Sequence, residues 1–424
     1  MVGDSEIHID LRQIILAIET AVSLVGMNDT NHGKRVGYIA SQLGHVLGFS
    51  EEDIRFAFEL GMLHDCGVSS EQVHSNLVNH FDWEDAHIHC EIGYKLLRNF
   101  TPLAKYAVPI LYHHTPWSEL SKMPVSSFDA RMANLIFISD RIDVLCASHA
   151  GSDILITRSS IVESVKSYAG TYFDPAMVEA FLTIEGAESF WITLDDRHIT
   201  RYVWEMGNVA TDQWLSLGEL KHLSLILAYI VDQKSPFTAQ HSVRVAGLSK
   251  FLASQYGLSG EQSAKVEIAG LLHDLGKLHM PDNILEKPGP LDPSERAVMR
   301  QHSFETFEIL RHIKGMEEIA RWAAFHHEEV TGGGYPFHLK AKELTIESRI
   351  IAAADIFQAL VQNRPYRKGM ALNDVLETID TFAKSGKLDT GVVQLIKRHA
   401  EQCYRIADGT DGENSDSYLQ LFGE

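Results

Sequence analysis

Positive charge is scarce in this chain. Against 57 acidic residues stand 37 lysines and arginines, a formal net charge of −20 over 424 residues. That balance excludes a protein that grips polymeric nucleic acid or a membrane surface through bulk positive charge. An anionic ligand must be held by a few placed cations or by metal ions. Long apolar runs are missing as well. The most apolar, Leu223–Val231, has nine residues, against about 20 needed to cross a bilayer. The opening MVGDSEIHID is charged early and lacks the apolar stretch of a signal peptide, so the expected location is the cytoplasm. Cysteine is sparse: Cys66, Cys90, Cys146 and Cys403 show no paired spacing. This argues against a disulfide frame or a zinc ribbon and fits thiols in a reducing compartment. Strand-like alternation is rare, with Ser189–Leu194 and Ile199–Trp204 the best local candidates.

Histidine is plentiful instead, at 22, and much of it is clustered. Length suggests two or three domains. Apolar residues make up 45% of the chain, enough for a core in each half. Leu11–Leu24, Val36–Leu47, Val245–Tyr256, Val298–Leu310 and Ile350–Val361 carry apolar residues at helical spacing. The expected fold class is therefore mainly α.

The chain also repeats itself. "NHGKRVGYIASQLGHVLGFSEEDI…ELGMLHDCG" in the first half answers "QHSVRVAGLSKFLASQYGLSGEQS…IAGLLHDLG" in the second. His32, Arg35, His64 and Asp65 lie 209 residues before His241, Arg244, His273 and Asp274. The offset drifts to 213 for His89 and His302 and for His113-His114 and His326-His327, then to 215 for Asp140 and Asp355. So long a period marks a domain duplication. The expected division is residues 1–186, a connector at 187–216 with a short β element, and 217–424.

In the second half His241, His273-Asp274, His302, His326-His327 and Asp355 give five imidazoles and two carboxylates. That is nearly what two divalent cations need while leaving positions for water and substrate. His273-Asp274 sits in the apolar run AGLLHDLGK, where burial is costly unless the pair is coordinated or hydrogen-bonded. On a helix Lys277 falls on the same face as that pair.

His241…His273-Asp274…Asp355 resembles the HD superfamily of metal-dependent phosphohydrolases. His326-His-Glu-Glu-Val-Thr-Gly-Gly-Gly-Tyr-Pro336 resembles the H-H-E-x-x-D-G-x-G-Y-P signature of its HD-GYP branch. "LLHDLGKLHMPDNILEKPGPL", "MRQH" and "IAAADIFQALVQNRPYRKG" match around it, so the likeness spans the whole second half. The first half resembles a divergent HD copy. The resemblance implies two tandem all-helical domains and hydrolysis of a cyclic dinucleotide, c-di-GMP or 3′3′-cGAMP, to the linear 5′-phosphorylated dinucleotide. It implies iron or manganese, with His241, His273, Asp274 and Asp355 on one metal and Asp274, His302, His326 and His327 on the other. Asp274 bridges, and a water bound between the metals becomes the nucleophile. Members with a third metal carry Glu where Phe237 stands, so two are expected. Asp274 and Lys277 are the expected catalytic residues, with Lys277, Gly334, Tyr335, Pro336, Arg364 and Arg367 on the substrate. A homodimer and a diguanylate-cyclase-type partner at the Gly-Tyr-Pro loop are further expectations. Thr331 and Glu329 replace the family's Asp and its usual basic residue, which bears on the loop more than on hydrolysis.

The first half keeps His32, His64, Asp65, His89, His113, His114 and Asp140 as a possible metal set, with His87 an alternative to His89. It has Val68 for Lys277 and lacks both the Gly-Tyr-Pro loop and the paired arginines. A regulatory metal module, a metal-free packing partner and a hydrolase for another ester all remain open, in that order. For the second half the alternatives are a phosphohydrolase of another nucleotide ester and a non-enzymatic cyclic-dinucleotide receptor.

Overall fold

The structure, a computed structural model, describes residues 6–23, 31–68, 86–147, 154–206, 212–234, 240–363 and 368–411. It is helical almost throughout. Among the described residues the one sheet is a two-stranded antiparallel ribbon, Glu6–Asp10 against Asp212–Ser216. The chain divides into two compact units, one of Ile14–Thr211 and one of Met1–Gln13 with Asp212–Glu424.

That division corrects the expected boundaries. The opening strand belongs with the second half, because it supplies the backbone hydrogen-bond partners that Asp212–Ser216 needs. Ile9 and Leu215 from the two strands are both buried. The expected connector is also displaced. Ser189–Leu194 and Ile199–Trp204 are not strands but parts of the helices Glu188–Ile192 and Asp196–Met206. Phe190 and Trp191 are neighbours in sequence and both buried, whereas a strand would send them to opposite faces. Phe190 stacks on Tyr38 at 5.8 Å and Trp191 meets Phe181 at 6.0 Å. These contacts tie the segment into the first unit. The Asp195 carboxylate accepts from Arg197 N at 3.2 Å and starts the second of the two helices.

Each unit contains the same five helices. In the second they are His241–Tyr256, Gly260–Leu272, Gln301–Leu310, Glu317–Ala324 and Ile346–Val361. In the first they are His32–Val46, Glu51–Leu63, Ala86–Arg98, Ala104–Tyr112 and Ser127–Ala147. The apolar stretch Val298–Leu310 forms two helices, Pro293–Met299 and Gln301–Leu310, and the His302 ring donates to the Met299 carbonyl at the break. The repeat extends to the caps. Ser50 accepts from Asp53 N at 3.1 Å and Ser259 from Gln262 N at 3.1 Å, so the second helix of each unit starts the same way. Both helices end just before the His-Asp pair, which delivers that pair into the middle of the bundle. The last helix, Ile346–Val361, buries Ile350, Ile351, Ala353, Ala354 and Phe357 around most of its girth. It is a central core helix, and Asp355 is carried on it.

One contact fixes the distance between the His-Asp turn and the helix bearing the third histidine. A Cβ on Gly276 would lie 2.0 Å from the His302 carbonyl oxygen, and one on Gly67 would lie 2.0 Å from that of His89. Only glycine lets backbone approach backbone so closely. Gly276→Ala and Gly67→Ala should each destabilise their own unit by about 1–3 kcal/mol, the scale of overpacking. Hydrogen exchange on the flanking helices would report this, and unchanged protection would show that the contact is not needed.

Candidate metal centre

The second unit brings its predicted ligands together around one carboxylate. Asp274 Oδ2 lies 3.2 Å from His273 Nε2 and 3.5 Å from His241 Nε2. Its other oxygen, Oδ1, lies 3.5 Å from His302 Nε2 and 3.9 Å from His326 Nε2. Asp355 Oδ1 sits 3.5 Å from His241 Nε2 and 3.8 Å from His273 Nε2. The ligand atoms thus fall into two groups, His241, His273 and Asp355 on one side and His302, His326 and His327 on the other. Asp274 lies between them.

The hydrogen bonds around these rings decide which nitrogen points inward. Nδ1 of His273, His302 and His326 donates to the carbonyls of Gly270, Met299 and Ala323 at 2.8, 2.5 and 2.7 Å. His241 Nδ1 lies 2.6 Å from Gln358 Oε1. Each ring therefore turns Nε2 inward with its lone pair exposed. His241 Nε2 faces His273 Nε2 at 3.3 Å, and His302 Nε2 faces His326 Nε2 at the same distance. Two lone pairs that close repel, and a cation between them reverses the sign. The donor set fits divalent metal.

In the metal-free protein the two groups solve this differently. Burial drags the His241 pKa down, but Asp274 and Asp355 outweigh it and push it up to about 9. A proton holds the cation's place there. Burial pulls His302 down to about 4 and His327 to about 3, and it holds His326 well below the usual imidazole value. Burial raises the Asp274 carboxyl, yet His273 and Lys277 hold it well below the usual range. Lys277 Nζ sits 2.5 Å from Asp274 Oδ2. It does so from a 3-10 turn, Leu275–His279, and not from a continued α-helix.

The Gly-Tyr-Pro loop folds back over the histidine pair. Tyr335 N donates to the His327 carbonyl at 3.2 Å, and the two rings lie 4.8 Å apart. A Cβ on Gly334 would meet Glu329 N at 2.4 Å. Two residues here escaped the sequence reading. The buried Glu328 carboxylate accepts from Phe337 N at 2.7 Å and Leu339 N at 2.9 Å, anchoring the loop. Arg300 lies over the Tyr335 ring at 5.1 Å. Its place two residues before His302 was the available signal. Arg364, Arg367 and Phe237 lie outside the described residues.

The first unit repeats the frame. Asp65 Oδ2 lies 3.4 Å from His64 Nε2 and 3.7 Å from His32 Nε2, and Oδ1 lies 3.4 Å from His89 Nε2. His89 is buried while His87 is exposed, so His89 is the counterpart of His302. His114 Nε2 reaches Asp140 Oδ2 at 3.9 Å. Val68 is buried where the second unit has its lysine. In place of the Gly-Tyr-Pro loop runs the short helix Trp117–Leu120, tied down by Trp117 N to the Tyr172 carbonyl at 3.0 Å.

An HD-domain family model matches residues 226–392. A 3′3′-cGAMP-specific phosphodiesterase, number 1 of Vibrio cholerae serotype O1, is 36% identical over 407 residues, 95% of this chain and 94% of that protein. The chain belongs to the HD-GYP family of cyclic-dinucleotide phosphodiesterases. A cyclic di-GMP phosphodiesterase of Thermotoga maritima is 38% identical over 165 residues, 38% of this chain and 44% of that one. The crystal structure of a cyclic GMP-AMP specific phosphodiesterase from Vibrio cholerae superposes with a TM-score of 0.64 at 23% identity. It covers 94% of this chain and 98% of its own, and so shares the fold. Family membership makes the chain a hydrolase of phosphodiester bonds, and the match to the first relative runs through both units of this chain.

The two ligand groups should respond differently to pH. A metal entering beside His241 displaces a proton at any pH below about 9, so its affinity should rise by up to about tenfold per unit between pH 7 and 9. His302 and His327 carry no proton in that range, so metal at their group should bind with little pH dependence. Competition with a chelating dye across pH would resolve the two. Two flat profiles would contradict the assignment.

Proposed function

We propose that the second half hydrolyses a cyclic dinucleotide, with 3′3′-cGAMP the first substrate and c-di-GMP the second. The observation that carries this reading is the Asp274 carboxylate, with one oxygen toward each histidine group at 3.2–3.9 Å. A carboxylate shared in this way suits two cations, and two cations suit in-line attack on phosphorus. The preference for 3′3′-cGAMP rests on the relative that matches over nearly the whole chain, whereas the c-di-GMP enzyme matches over less than half of it.

His241, His273, Asp274 and Asp355 would hold one cation, and Asp274, His302, His326 and His327 the other, both iron or manganese. Bound there, they would supply Lewis acidity and an activated water. The remaining work falls to the chain itself. Lys277, about one-fifth exposed at its side chain, can turn from Asp274 to a phosphoryl oxygen as negative charge builds there. Arg364 and Arg367 are proposed to grip the second phosphate, since a guanidinium fork matches two phosphate oxygens. Glu328 keeps the loop folded, and Tyr335 offers a ring at the rim for a base to stack on. Breaking the P–O3′ bond leaves a linear dinucleotide with a 5′-phosphate.

The first half is proposed to regulate and not to hydrolyse, because it lacks the lysine, the loop and the arginine pair. A cytoplasmic setting, a homodimer and a cyclase-type partner at the Gly-Tyr-Pro loop follow from the family resemblance. Light scattering on the purified protein checks the dimer.

Incubation of the metal-loaded protein with each cyclic dinucleotide, followed by chromatography of products, tests the reading. Intact substrate in both cases would refute it. Lys277→Ala should keep its metal content and lose kcat by roughly 10²–10³, the scale for one lost transition-state donor. Asp274→Ala should lose both metals of the second half and all turnover. Turnover surviving in Asp274→Ala would put the chemistry in the first half.

A further inference from the structure

The two centres differ most at one position. Cys90 follows His89 in the first unit, and Ser303 follows His302 in the second. Cys90 Sγ lies 3.7 Å from His89 Nε2 and 3.6 Å from the His113 ring at Nδ1. His89 Nε2 and His113 Nε2 are 3.3 Å apart, and Asp65 Oδ1 is 3.4 Å from His89 Nε2. A tetrahedral zinc with metal–nitrogen bonds of about 2.0–2.1 Å and a metal–sulfur bond of about 2.3 Å spaces its ligands about 3.3 Å (N to N) and 3.6 Å (N to S). The His89–His113 and His89–Asp65 separations match that spacing, Cys90 Sγ stands near the N-to-S distance from His89 Nε2, and His89, Cys90 and His113 each bring one ligand atom to within 4.8 Å of the others. His113 Nδ1 donates to the Ile110 carbonyl at 2.7 Å, so its Nε2 lone pair is turned toward His89.

The opposite side of the same centre has acquired positive charge. Arg141 donates to Asp140 Oδ2 from both Nε, at 3.1 Å, and Nη2, at 2.7 Å. In the second unit the residue after Asp355 is Ile356. The neutral Gln358 that receives His241 is replaced by Asp143, which accepts from His32 Nδ1 at 2.8 Å and Arg35 Nε at 2.6 Å. A guanidinium fixed on the would-be ligand carboxylate repels a cation at the His32, His64 and Asp140 group. The Cys90 group carries no such charge. His89, Cys90 and His113 are also 0–1% exposed, which suits a closed metal site and not one with an open position for water.

We propose that the first half binds a single soft divalent cation of the zinc type through His89, Cys90 and His113, with Asp65 as fourth ligand. Thiolate selects for softer metal, and the hydroxyl of Ser303 at the equivalent place does not. The duplicated frame then holds two kinds of metal: a closed sulfur-containing site in one unit and an oxygen–nitrogen centre in the other.

Cobalt(II) tests this in the full-length protein, because a cobalt–thiolate charge-transfer band reports on sulfur ligation independently of turnover. The wild-type protein should show the band, and Cys90→Ser should abolish it. Serine stands at the equivalent position of the second unit, so the variant should fold, and matching circular dichroism of the two metal-free proteins checks that. In an Asp274→Ala background, which empties the second unit, elemental analysis should find one equivalent of zinc, and none once Cys90→Ser is added. Absence of the band in wild type, its survival in Cys90→Ser, or a zinc equivalent retained by the double variant would each overturn the proposal.

Discussion

Two imidazole nitrogens, each with an exposed lone pair, face one another at 3.3 Å in each ligand group of the second unit. Neutral rings held in this way repel. Nothing in the hydrogen-bond geometry relieves that, because their Nδ1 atoms are committed to backbone carbonyls or, at His241, to the Gln358 side chain. The carbonyls belong to the helical turn just before each histidine, so the secondary structure itself aims the lone pairs inward. The arrangement is stable only with positive charge between the rings. At the His241 group a proton suffices when metal is absent. At the His302 group burial excludes it. The bundle is therefore built around cations, and the glycine contacts, caps and core helix serve to hold the ligand side chains at a spacing that only a cation makes favourable.

Much of this was legible in the sequence, and for a physical reason. Buried charge is rare unless compensated, so a His-Asp pair inside AGLLHDLGK announces a site, and its echo 209 residues earlier announces a second. The helical periodicity carried the fold class. Boundaries were less legible. Phe190 and Trp191 look like half of an alternating pattern until Phe181 and Tyr38 are present to bury both. Likewise, nothing local in EIHID says that its partner is DQWLS, more than two hundred residues away. Tertiary pairing overrode local preference in both cases. Glu328 was hidden for another reason: its role is to receive Phe337 N and Leu339 N, and backbone partners leave no mark on composition.

Duplication places one frame in two different chemical settings. The positions that build the bundle recur in both units: the cap serines Ser50 and Ser259, the glycines Gly67 and Gly276, and the bridging Asp65 and Asp274. The positions proposed to face substrate do not. Lys277 is matched by buried Val68, and the loop anchored by Glu328 is matched by a short helix pinned to Tyr172. The candidate ligand frame is retained where the residues proposed to handle phosphate are gone.

Charge distribution makes the same separation from another direction. A chain with net charge −20 repels an anionic substrate at long range, so affinity has to come from cations placed within contact distance. In the second unit one such cation, Lys277, rests on Asp274, whose Oδ2 also faces His241 and His273. A metal held there would compete with the lysine for the carboxylate and would leave the ammonium available to a phosphate. In the first unit, where Val68 stands in place of that lysine, a different cation, Arg141, grips Asp140 with two hydrogen bonds from a side chain about 3% exposed. A guanidinium held so firmly and buried so deeply has no substrate to turn toward. The same kind of contact that would prime one centre would close the other.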